Sequence, residues 1–426
     1  MEFKRYRIEE IGTVVGGGTP STKNPNYYGG NIPWITPKDL ANYEKRYIQY
    51  GERNITDEGL KHSSAKLVPA NTILMTSRAP IGYLAIAANE VSTNQGFKSI
   101  ICDEKVVSPK FLYYLLQYEM ENIKSLGTGS TFSEISGKVV KNIEVNLPNI
   151  ENQKKIEDVL DAIDEKIETN QYIIANLEEL SQTLFKRWFV DFEFSDENGN
   201  PYKSSGGEMT DSELGEIPKA WRVETLEKLG SIVGGGTPSK KNKEYYTNNG
   251  IPWITPKDLS KNRNIYISHG ENDISELGLN KSSAKLLEKN SVLFSSRAPI
   301  GYIAINNIPV TTNQGFKSIV PNEEINPYFI YFILKNITPL IEQTASGSTF
   351  KEISAKGMKS IKIVFPSIEL IKQYGNIIKK YFEEINFLEN QNIKLIELRD
   401  TLLPKLMSGE LEISDDIEVN SDELSI

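Results

Sequence analysis

Ile32-Pro33-Trp34-Ile35-Thr36-Pro37-Lys38-Asp39-Leu40 occurs a second time, unchanged, at residues 251–259. Neighbouring segments are repeated too: residues 77–83 return at 296–302, and residues 93–100 return at 312–319. The sequence of residues 1–149 is therefore repeated, with substitutions, at residues 219–366. A duplication of this length predicts two similar globular domains related by an approximate two-fold axis, like the subunits of a symmetric dimer.

A long helix is predicted after each copy, because apolar residues there alternate at spacings of four and three. This heptad pattern indicates a coiled coil, and a two-fold relation between the copies requires the paired helices to be antiparallel. Asn170 and Asn392 are polar seam residues of the kind that fixes register. A helix that only caps its own domain is the alternative, but about 39 residues would span about 58 Å. The seam consists of Ile156, Leu160, Ile163, Ile167, Asn170, Ile174, Leu177, Ser181 and Leu184, and of Tyr374, Ile378, Tyr381, Ile385, Leu388, Asn392, Leu395, Arg399, Leu402 and Leu406.

The predicted fold class is α+β, with two pseudo-two-fold-related globular domains separated by two long antiparallel coiled-coil helices. Within each globular copy, residues 72–76 and 82–87, and their equivalents 291–295 and 301–305, have the composition of strands on either side of a turn. The predicted layout is a first domain at 1–149, a helix at 150–192, a linker at 193–218, a second domain at 219–366, a helix at 367–409 and an acidic disordered tail at 410–426. The linker is expected to be a polar surface loop.

The net charge of −9 is distributed unevenly along the chain. Residues 1–149 carry a net +2 and residues 219–366 a net +7, which leaves −18 for the helices, linker and tail. Basic domains beside acidic helices favour nucleic acid held by the domains alone. Helical surfaces that are merely solvated by Glu and Asp are the alternative.

The remaining composition points to a cytoplasmic protein that does not contact a membrane. The chain has no run of 18 apolar residues and begins without an apolar signal-peptide core. Cys102 is the single cysteine, which excludes a disulfide framework. The two histidines, His62 and His269, are not at equivalent positions, so no metal site is expected.

Polar residues inside the repeated segments are the candidates for DNA contact, and each type has a chemical reason. Arg78 and Arg297 carry a forked guanidinium that suits a guanine edge or a phosphate. Amides read adenine, a carboxylate accepts a hydrogen bond from cytosine, and hydroxyl groups bind phosphates. Asn and Gln after a strand also often satisfy a turn, and Trp34 and Trp253 are expected in the core. The candidates are Thr36, Lys38, Asp39, Ser77, Arg78, Asn94, Gln95, Lys98, Ser130 and Thr131, with Thr255, Lys257, Asp258, Ser296, Arg297, Asn313, Gln314, Lys317, Ser348 and Thr349 in the second copy.

Catalytic patterns are missing from the sequence. Gly16-Gly17-Gly18 lacks the Gly-Lys-Ser/Thr that completes a phosphate-binding loop. The chain has no Asn/Asp-Pro-Pro-Tyr/Phe run, and therefore no adenine pocket of an amino-methyltransferase, and no matched nuclease pattern. We expect a non-catalytic protein with no cofactor of its own.

Local sequences around the helices resemble the specificity subunit of type I restriction-modification systems. Leu147-Pro148-Asn149-Ile150-Glu151-Asn152-Gln153, followed by Ile163-Asp164-Glu165-Lys166-Ile167, looks like the start of that family's conserved helix. Residues 211–221 look like its opening of a target-recognition domain, although Ala220 stands where the family has Gly. Residues 367–373 match the corresponding Leu-Pro-Pro-Leu-x-x-Gln pattern weakly. The resemblance extends to about Gly409.

The resemblance implies that each recognition domain reads one half of a bipartite DNA site. It also implies partners: two adenine-methyltransferase subunits and two restriction/translocase subunits, which would carry S-adenosylmethionine and ATP. Because the copies share every candidate residue, we expect similar half-sites in inverted orientation. The alternatives are a structural or adhesive protein with tandem binding domains on a coiled-coil spacer, and a self-contained DNA-modifying enzyme, which the missing motifs disfavour.

Overall fold

A computed structural model describes residues 1–128, 133–297, 299–347 and 351–414 of the chain. The chain divides into two units, one formed by Met1–Thr169 with Asn392–Ile426 and one formed by Asn170–Gln391. Each unit contains one globular domain together with part of both long helices.

Among its described residues, the first domain contains eleven short strands and six short helices, and a long helix follows it. The strands are β1 Lys4–Arg7, β2 Gly12–Gly16, β3 Tyr28–Ile35, β4 Tyr47–Ile48, β5 Arg53–Ile55, β6 Leu67–Val68, β7 Ile73–Ser77, β8 Ile81–Ala87, β9 Val91–Thr93, β10 Lys98–Cys102 and β11 Glu144–Leu147. The helices are α1 Ile8–Ile11, α2 Pro37–Leu40, α3 Asp57–Lys61, α4 Pro109–Tyr118, α5 Met120–Ser125, α6 Gly137–Lys141 and the long α7 Ile150–Phe189, with a 3-10 turn at Pro25–Tyr27.

The second domain follows nearly the same order, with one longer helix in place of α4 and α5 and a 3-10 turn in place of α1, and is followed by the second long helix. Its strands, with those of the preceding linker, are β12 Met209–Ser212, β13 Gly215–Pro218, β14 Arg222–Thr225, β15 Gly230–Gly234, β16 Tyr246–Thr247, β17 Ile251–Ile254, β18 Tyr266–Ile267, β19 Asn272–Ile274, β20 Val292–Ser296, β21 Ile300–Asn306, β22 Thr311–Thr312, β23 Lys317–Pro321 and β24 Lys362–Phe365. Its helices are α8 Pro256–Lys261, α9 Glu276–Asn280, α10 Pro327–Thr344, α11 Ala355–Lys359 and the long α12 Ile368–Ser408, with 3-10 turns at Leu226–Leu229 and Lys243–Tyr245.

The two domains share the strand order of a five-stranded sheet and of three strands in a smaller sheet, which confirms the predicted α+β class. A five-stranded sheet has the order β2-β10-β7-β8-β4 in the first domain and β15-β23-β20-β21-β18 in the second. A four-stranded sheet has the order β5-β3-β9-β6 in the first and β16-β19-β17-β22 in the second. A strand pair closes each domain, β1 with β11 and β14 with β24. The duplication in sequence is therefore a duplication of fold.

The linker prediction was wrong in part. Residues 193–218 were expected to be a surface loop, but β12 and β13 form an antiparallel hairpin there. Phe194 stacks on Trp221 with ring centroids 5.2 Å apart, and Tyr202 stacks on Phe194 at 4.6 Å. These aromatic contacts fix the segment against the second domain.

The seam residues of both long helices are buried or half-buried, as the heptad pattern predicts. In the first unit, Ile163 and Ile167 pack on Leu395. In the second unit, the Asn170 amide donates to Gln391 Oε1 at 2.7 Å, and the Tyr374 hydroxyl donates to the Ser181 carbonyl at 3.1 Å. Residue numbers rise along one helix as they fall along the other, so the helices pair antiparallel within each unit. The start of α7 also joins the core of the first domain through Ile156 and Leu160. The helix therefore both pairs with the other long helix and covers its own domain.

Buried polar contacts attach the first domain to the helices. Asp164 of α7, with its side chain 7 % exposed, accepts a hydrogen bond from the Tyr114 hydroxyl at 2.8 Å. Arg399 of α12 donates to the same carboxylate at 2.9 Å. Arg46 is also buried, pairs with Asp161 and donates to Glu168 at 3.1 Å. The polar groups thus satisfy one another, as buried charges require.

In the second unit, aromatic side chains attach the globular domain to the long helices. Phe382 stands where α7 has Asp164, and it packs on Tyr328 with ring centroids 4.4 Å apart and on Phe332 at 5.9 Å. Glu389 is the buried carboxylate here, and it accepts from the backbone N–H groups of Ile265 at 2.6 Å and of Tyr266 at 3.0 Å. Burial, with a smaller effect of the negative charge of Glu178, raises the pKa of Glu389 to about 8 against the lowering effect of the two N–H donors.

Removing Arg399 tests the polar attachment of the first unit. Arg399→Met would leave the Asp164 carboxylate buried without its cation, so we expect a loss of about 3 kcal/mol in the unfolding free energy of this unit. The double variant with Asp164→Leu should recover most of that loss. Urea-dependent hydrogen exchange of peptides from the first unit measures both. Arg5→Met, which breaks an exposed ion pair with Glu144, is the control and should cost less than about 1 kcal/mol. Equal effects of Arg399→Met and Arg5→Met would contradict this role.

The buried Glu389 predicts a pH dependence of the second unit. Because its pKa of about 8 lies above the ordinary value of 4.5, the folded state binds the proton more tightly than the unfolded state does. The contribution of Glu389 to stability is therefore present below about pH 4.5 and is lost as the pH rises to about 8. Relative to Glu389→Gln, the native chain should lose up to about 1.4 kcal/mol per pH unit within this window. Parallel stability curves for the two proteins would refute it.

Candidate nucleic-acid interface

Three segments of the first domain meet at the end of β7. Arg78 follows β7, Lys98 begins β10, and the backbone of Glu134 pairs with that of Arg78. Arg78 Nη1 lies 3.4 Å from Glu134 Oε2, and Lys98 Nζ lies 4.0 Å from Oε1. Lys98 Nζ also donates to Ser77 Oγ at 3.4 Å. We call Ser77, Arg78, Lys98 and Glu134 the first cation–carboxylate cluster.

The second domain builds the same cluster from Ser296, Arg297, Lys317 and Glu352. Arg297 Nη1 lies 3.5 Å from Glu352 Oε2, and Lys317 Nζ lies 3.3 Å from Oε1. Lys317 Nζ donates to Ser296 Oγ at 3.3 Å. In each domain the structure therefore brings the predicted Ser, Arg and Lys side chains together, so that the three belong to one candidate site.

Each cluster carries two cations and one carboxylate, and thus a net positive charge. The Arg side chains are 36 % and 34 % exposed, whereas those of Lys98 and Lys317 are 16 % and 12 % exposed. Burial lowers the pKa of Lys98, against the effect of Glu134, which raises it. The guanidinium is the most accessible cation, and its planar fork suits a guanine edge or a phosphate.

Thr36 and Asp39 have a structural role at the N-terminus of α2. Asp39 Oδ2 accepts from the Thr36 N–H at 2.7 Å and from the Thr36 hydroxyl at 2.6 Å, while Oδ1 accepts from the Glu52 N–H at 2.7 Å. The carboxylate is thus already satisfied by the chain, which weakens its assignment as an acceptor for cytosine. Lys38 lies on the exterior and pairs with Glu52 at 2.7 Å, so its contact with DNA stays a prediction.

The second domain repeats this arrangement. Asp258 accepts from the Thr255 N–H and hydroxyl at 2.7 and 2.6 Å and from the Glu271 N–H at 2.9 Å. Lys257 pairs with Glu271 at 2.9 Å.

The paired amides are likewise engaged within the chain. Asn94 Oδ1 accepts from the Gly96 N–H at 2.8 Å, and Asn313 does the same for Gly315. These hydrogen bonds stabilise a turn, which is the alternative role that the sequence allowed for Asn94 and Asn313. Gln95 and Gln314 are exposed and contact the hydroxyls of Thr19 and Thr237, respectively. Their contact with adenine stays a prediction.

The Gly-rich segment serves packing inside the domain. A Cβ on Gly17 would lie 1.9 Å from the Asn94 carbonyl oxygen, and one on Gly18 would lie 2.2 Å from the Ala65 nitrogen. The Trp34 indole donates to the Gly18 carbonyl at 3.0 Å and is buried. Trp253 repeats this contact with Gly236 at 2.9 Å. Both tryptophans are core residues, as expected.

Four candidates, Ser130, Thr131, Ser348 and Thr349, lie outside the described residues, as does most of the acidic tail. Sequence reasoning missed Glu134 and Glu352. A signal for them existed, because Glu134-Ile135-Ser136 returns as Glu352-Ile353-Ser354.

Other chemistry has little support in the described part of the chain. It contains no group of three His, Cys, Asp or Glu side chains placed to hold a metal ion. Burial raises the pKa of the Cys102 thiol to about 12, so the reactive thiolate is scarce at neutral pH. None of the described helices combines the length and apolar character needed to cross a membrane.

A family model and the curated relatives of this chain point to the same protein family. The family model for the type I restriction modification DNA specificity domain matches residues 1–179 and again 218–398. The chain is 38 % identical over 417 residues to the type I restriction enzyme MjaIX specificity subunit of Methanocaldococcus jannaschii, covering 96 % of this chain and 93 % of that protein. It is 28 % identical to the HindI specificity subunit of Haemophilus influenzae, covering 96 % and 100 % of the two chains.

The fold is also known from a solved structure. The S subunit of a type I restriction-modification system from M. genitalium superposes with a TM-score of 0.62 at 20 % identity, covering 95 % of this chain and 96 % of that one. Two matches of the family model, on a chain with two copies of one fold joined by long helices, agree with this architecture. The chain belongs to the family of type I restriction-modification DNA specificity subunits.

Proposed function

We propose that each globular domain of this specificity subunit reads one half of a bipartite DNA site through its cation–carboxylate cluster. The observation that carries the proposal is the duplicated cluster, in which a part-exposed Arg of each domain is held by Lys-, Ser- and Glu-bearing segments at matching distances. Bidentate contact from Arg to guanine O6 and N7 is the commonest specific contact in the major groove.

Charge supports the same assignment. The domains are net basic while the rest of the chain is strongly acidic. Phosphates are attracted to basic surfaces whatever the sequence, so the domains are the surfaces that DNA would approach.

The two half-sites are proposed to be similar and inverted. Both domains share the segments 77–83 and 93–100 almost verbatim, and their clusters agree within a few tenths of an ångström in the Arg–Glu distance. Equivalent readers related by a two-fold axis would meet equivalent sequences on opposite strands. Divergent segments such as 43–50 and 263–269 would produce the differences between the half-sites.

The chain is further proposed to be non-catalytic and to direct two adenine-methyltransferase subunits and two restriction/translocase subunits. Those partners would carry S-adenosylmethionine and ATP, and the methyltransferase would flip the adenine out of the helix. Exposed apolar side chains on the long helices support a docking surface: Tyr172 is 68 % exposed and Phe387 is 56 % exposed. The adhesive alternative has no support from the family comparison.

Removing one guanidinium should affect one half-site only. Arg78→Ala is expected to weaken recognition at one guanine of the first half-site by about 1–3 kcal/mol, and Arg297→Ala to do the same in the second. Single-molecule methylation mapping of cells that express each variant with its methyltransferase measures the change base by base. Arg5→Ala, on the same domain but outside the cluster, is the control. Two variants that relax the same half-site, or neither, would contradict the proposal.

Assembly gives a separate test. Co-expression with the adenine methyltransferase encoded in a neighbouring reading frame should give a complex of two methyltransferase subunits and one copy of this chain, measured by native mass spectrometry. Phe387→Asp should weaken it, because a charge would be buried in an apolar contact, whereas Leu214→Asp on the linker hairpin should not. A chain that stays alone beside a folded methyltransferase would disprove the proposed assembly.

A further inference from the structure

We propose that Glu134 and Glu352 are specificity-determining positioning residues: each carboxylate directs its Arg toward a base edge and excludes phosphate from the cluster. The proposal rests on the proposed function of the two domains in reading DNA. It assigns a role to a negative side chain at the place where a DNA-binding surface would be expected to be uniformly positive.

The backbone around Glu134 is fixed on both sides. Its N–H donates to the Thr128 carbonyl at 3.0 Å, and its carbonyl accepts from the Thr128 N–H at 3.1 Å. The next residue, Ile135, is fully buried and donates to the Ser77 carbonyl at 2.9 Å. Glu352 is held by the same pattern with Ser346, and Ile353 donates to Ser296 at 3.1 Å. A carboxylate so anchored can orient a longer, more mobile side chain beside it.

The contact between the two side chains orients the Arg but leaves most of its N–H donors available. The Arg78–Glu134 distance of 3.4 Å and the Arg297–Glu352 distance of 3.5 Å are at the long end for a hydrogen bond. Each contact joins Nη1 to one carboxylate oxygen, whereas a guanidinium has five N–H donors. The remaining donors of the fork can therefore meet a second acceptor.

The carboxylate also decides which acceptor that is. Arg78 and Lys98 alone would form a doubly charged site that attracts phosphate irrespective of sequence. Glu134 lies within 4.0 Å of both cations, so a phosphate that enters the cluster meets its negative charge. A guanine edge offers neutral acceptors and avoids this repulsion. The geometry thus favours base contact over backbone contact.

Glu134→Gln separates charge from shape, because the amide keeps the size of the side chain and one oxygen acceptor. The experiment uses the full chain in complex with its methyltransferase. Affinity for a fixed non-target duplex is measured at several NaCl concentrations, and sequence selectivity is measured by selection from a random duplex pool. We expect non-target affinity to rise about five- to tenfold at 0.1 M salt, with a salt slope steeper by about 0.9. Selectivity should fall at the half-site of the first domain only.

Controls distinguish this effect from a change in net charge or in folding. Glu144→Gln removes the same charge from an exposed Arg pair on the same domain and should change neither quantity. Glu352→Gln should repeat the result at the other half-site. Glu134→Asp keeps the charge but shortens the reach, so it should keep non-target affinity low and still lose selectivity; it also serves if Glu134→Gln does not fold.

The outcomes are decisive. A Glu134→Gln complex with unchanged selectivity, or with non-target affinity no higher than that of Glu144→Gln, overturns the inference while the native complex still selects a bipartite site. A native complex that selects no sequence at all overturns the proposed function as well.

Discussion

The buried attachment of each globular domain to the long helices is the constraint on which the rest of the structure depends. A domain that reads a few bases must be held at a fixed place and angle, because hydrogen bonds to base edges tolerate little misplacement. In the first unit, Asp164 provides that attachment by joining Tyr114 of the domain to Arg399 of the other helix. In the second unit, Phe382 does so within a cluster of aromatic rings.

The two copies differ in the contacts that attach each domain to the long helices, whereas the side chains of their cation–carboxylate clusters are the same. Arg46 and Asp164 of the first unit correspond to Ile265 and Phe382 of the second, so a buried ionic network stands opposite an aromatic one. The cation–carboxylate clusters, by contrast, contain the same residue types, with Arg–Glu distances of 3.4 and 3.5 Å and Lys–Glu distances of 4.0 and 3.3 Å. Different side chains can fill a core equally well, whereas hydrogen bonding to a defined ligand allows few substitutions. The contrast is what a shared binding site on two separately packed scaffolds would produce.

Much of the fold could be predicted from the sequence because periodic patterns are local. The heptad seam identified α7 and α12, and strands such as β7 and β20 were expected within a residue of where they lie. The hairpin at 209–218 was missed, since its polar composition resembles that of a loop and only the fold shows that Ile217 joins the core of the second domain. The candidate site was predicted only in part. Arg78 and Lys98 could be named by residue type, but Glu134 lies 56 residues from Arg78, and only the folded sheet brings them together. Asp39 shows the converse, because a carboxylate three residues after Thr36 was read as a ligand although the spacing fits a helix cap.

The most direct measurement is the structure of the methyltransferase complex bound to its own DNA site, at a resolution that shows base edges. We expect the guanidinium groups of Arg78 and Arg297 to lie about 3 Å from acceptors on bases of opposite strands, with Glu134 and Glu352 still in contact with them. Clusters that face away from the duplex, or that bind only phosphates, would contradict this expectation.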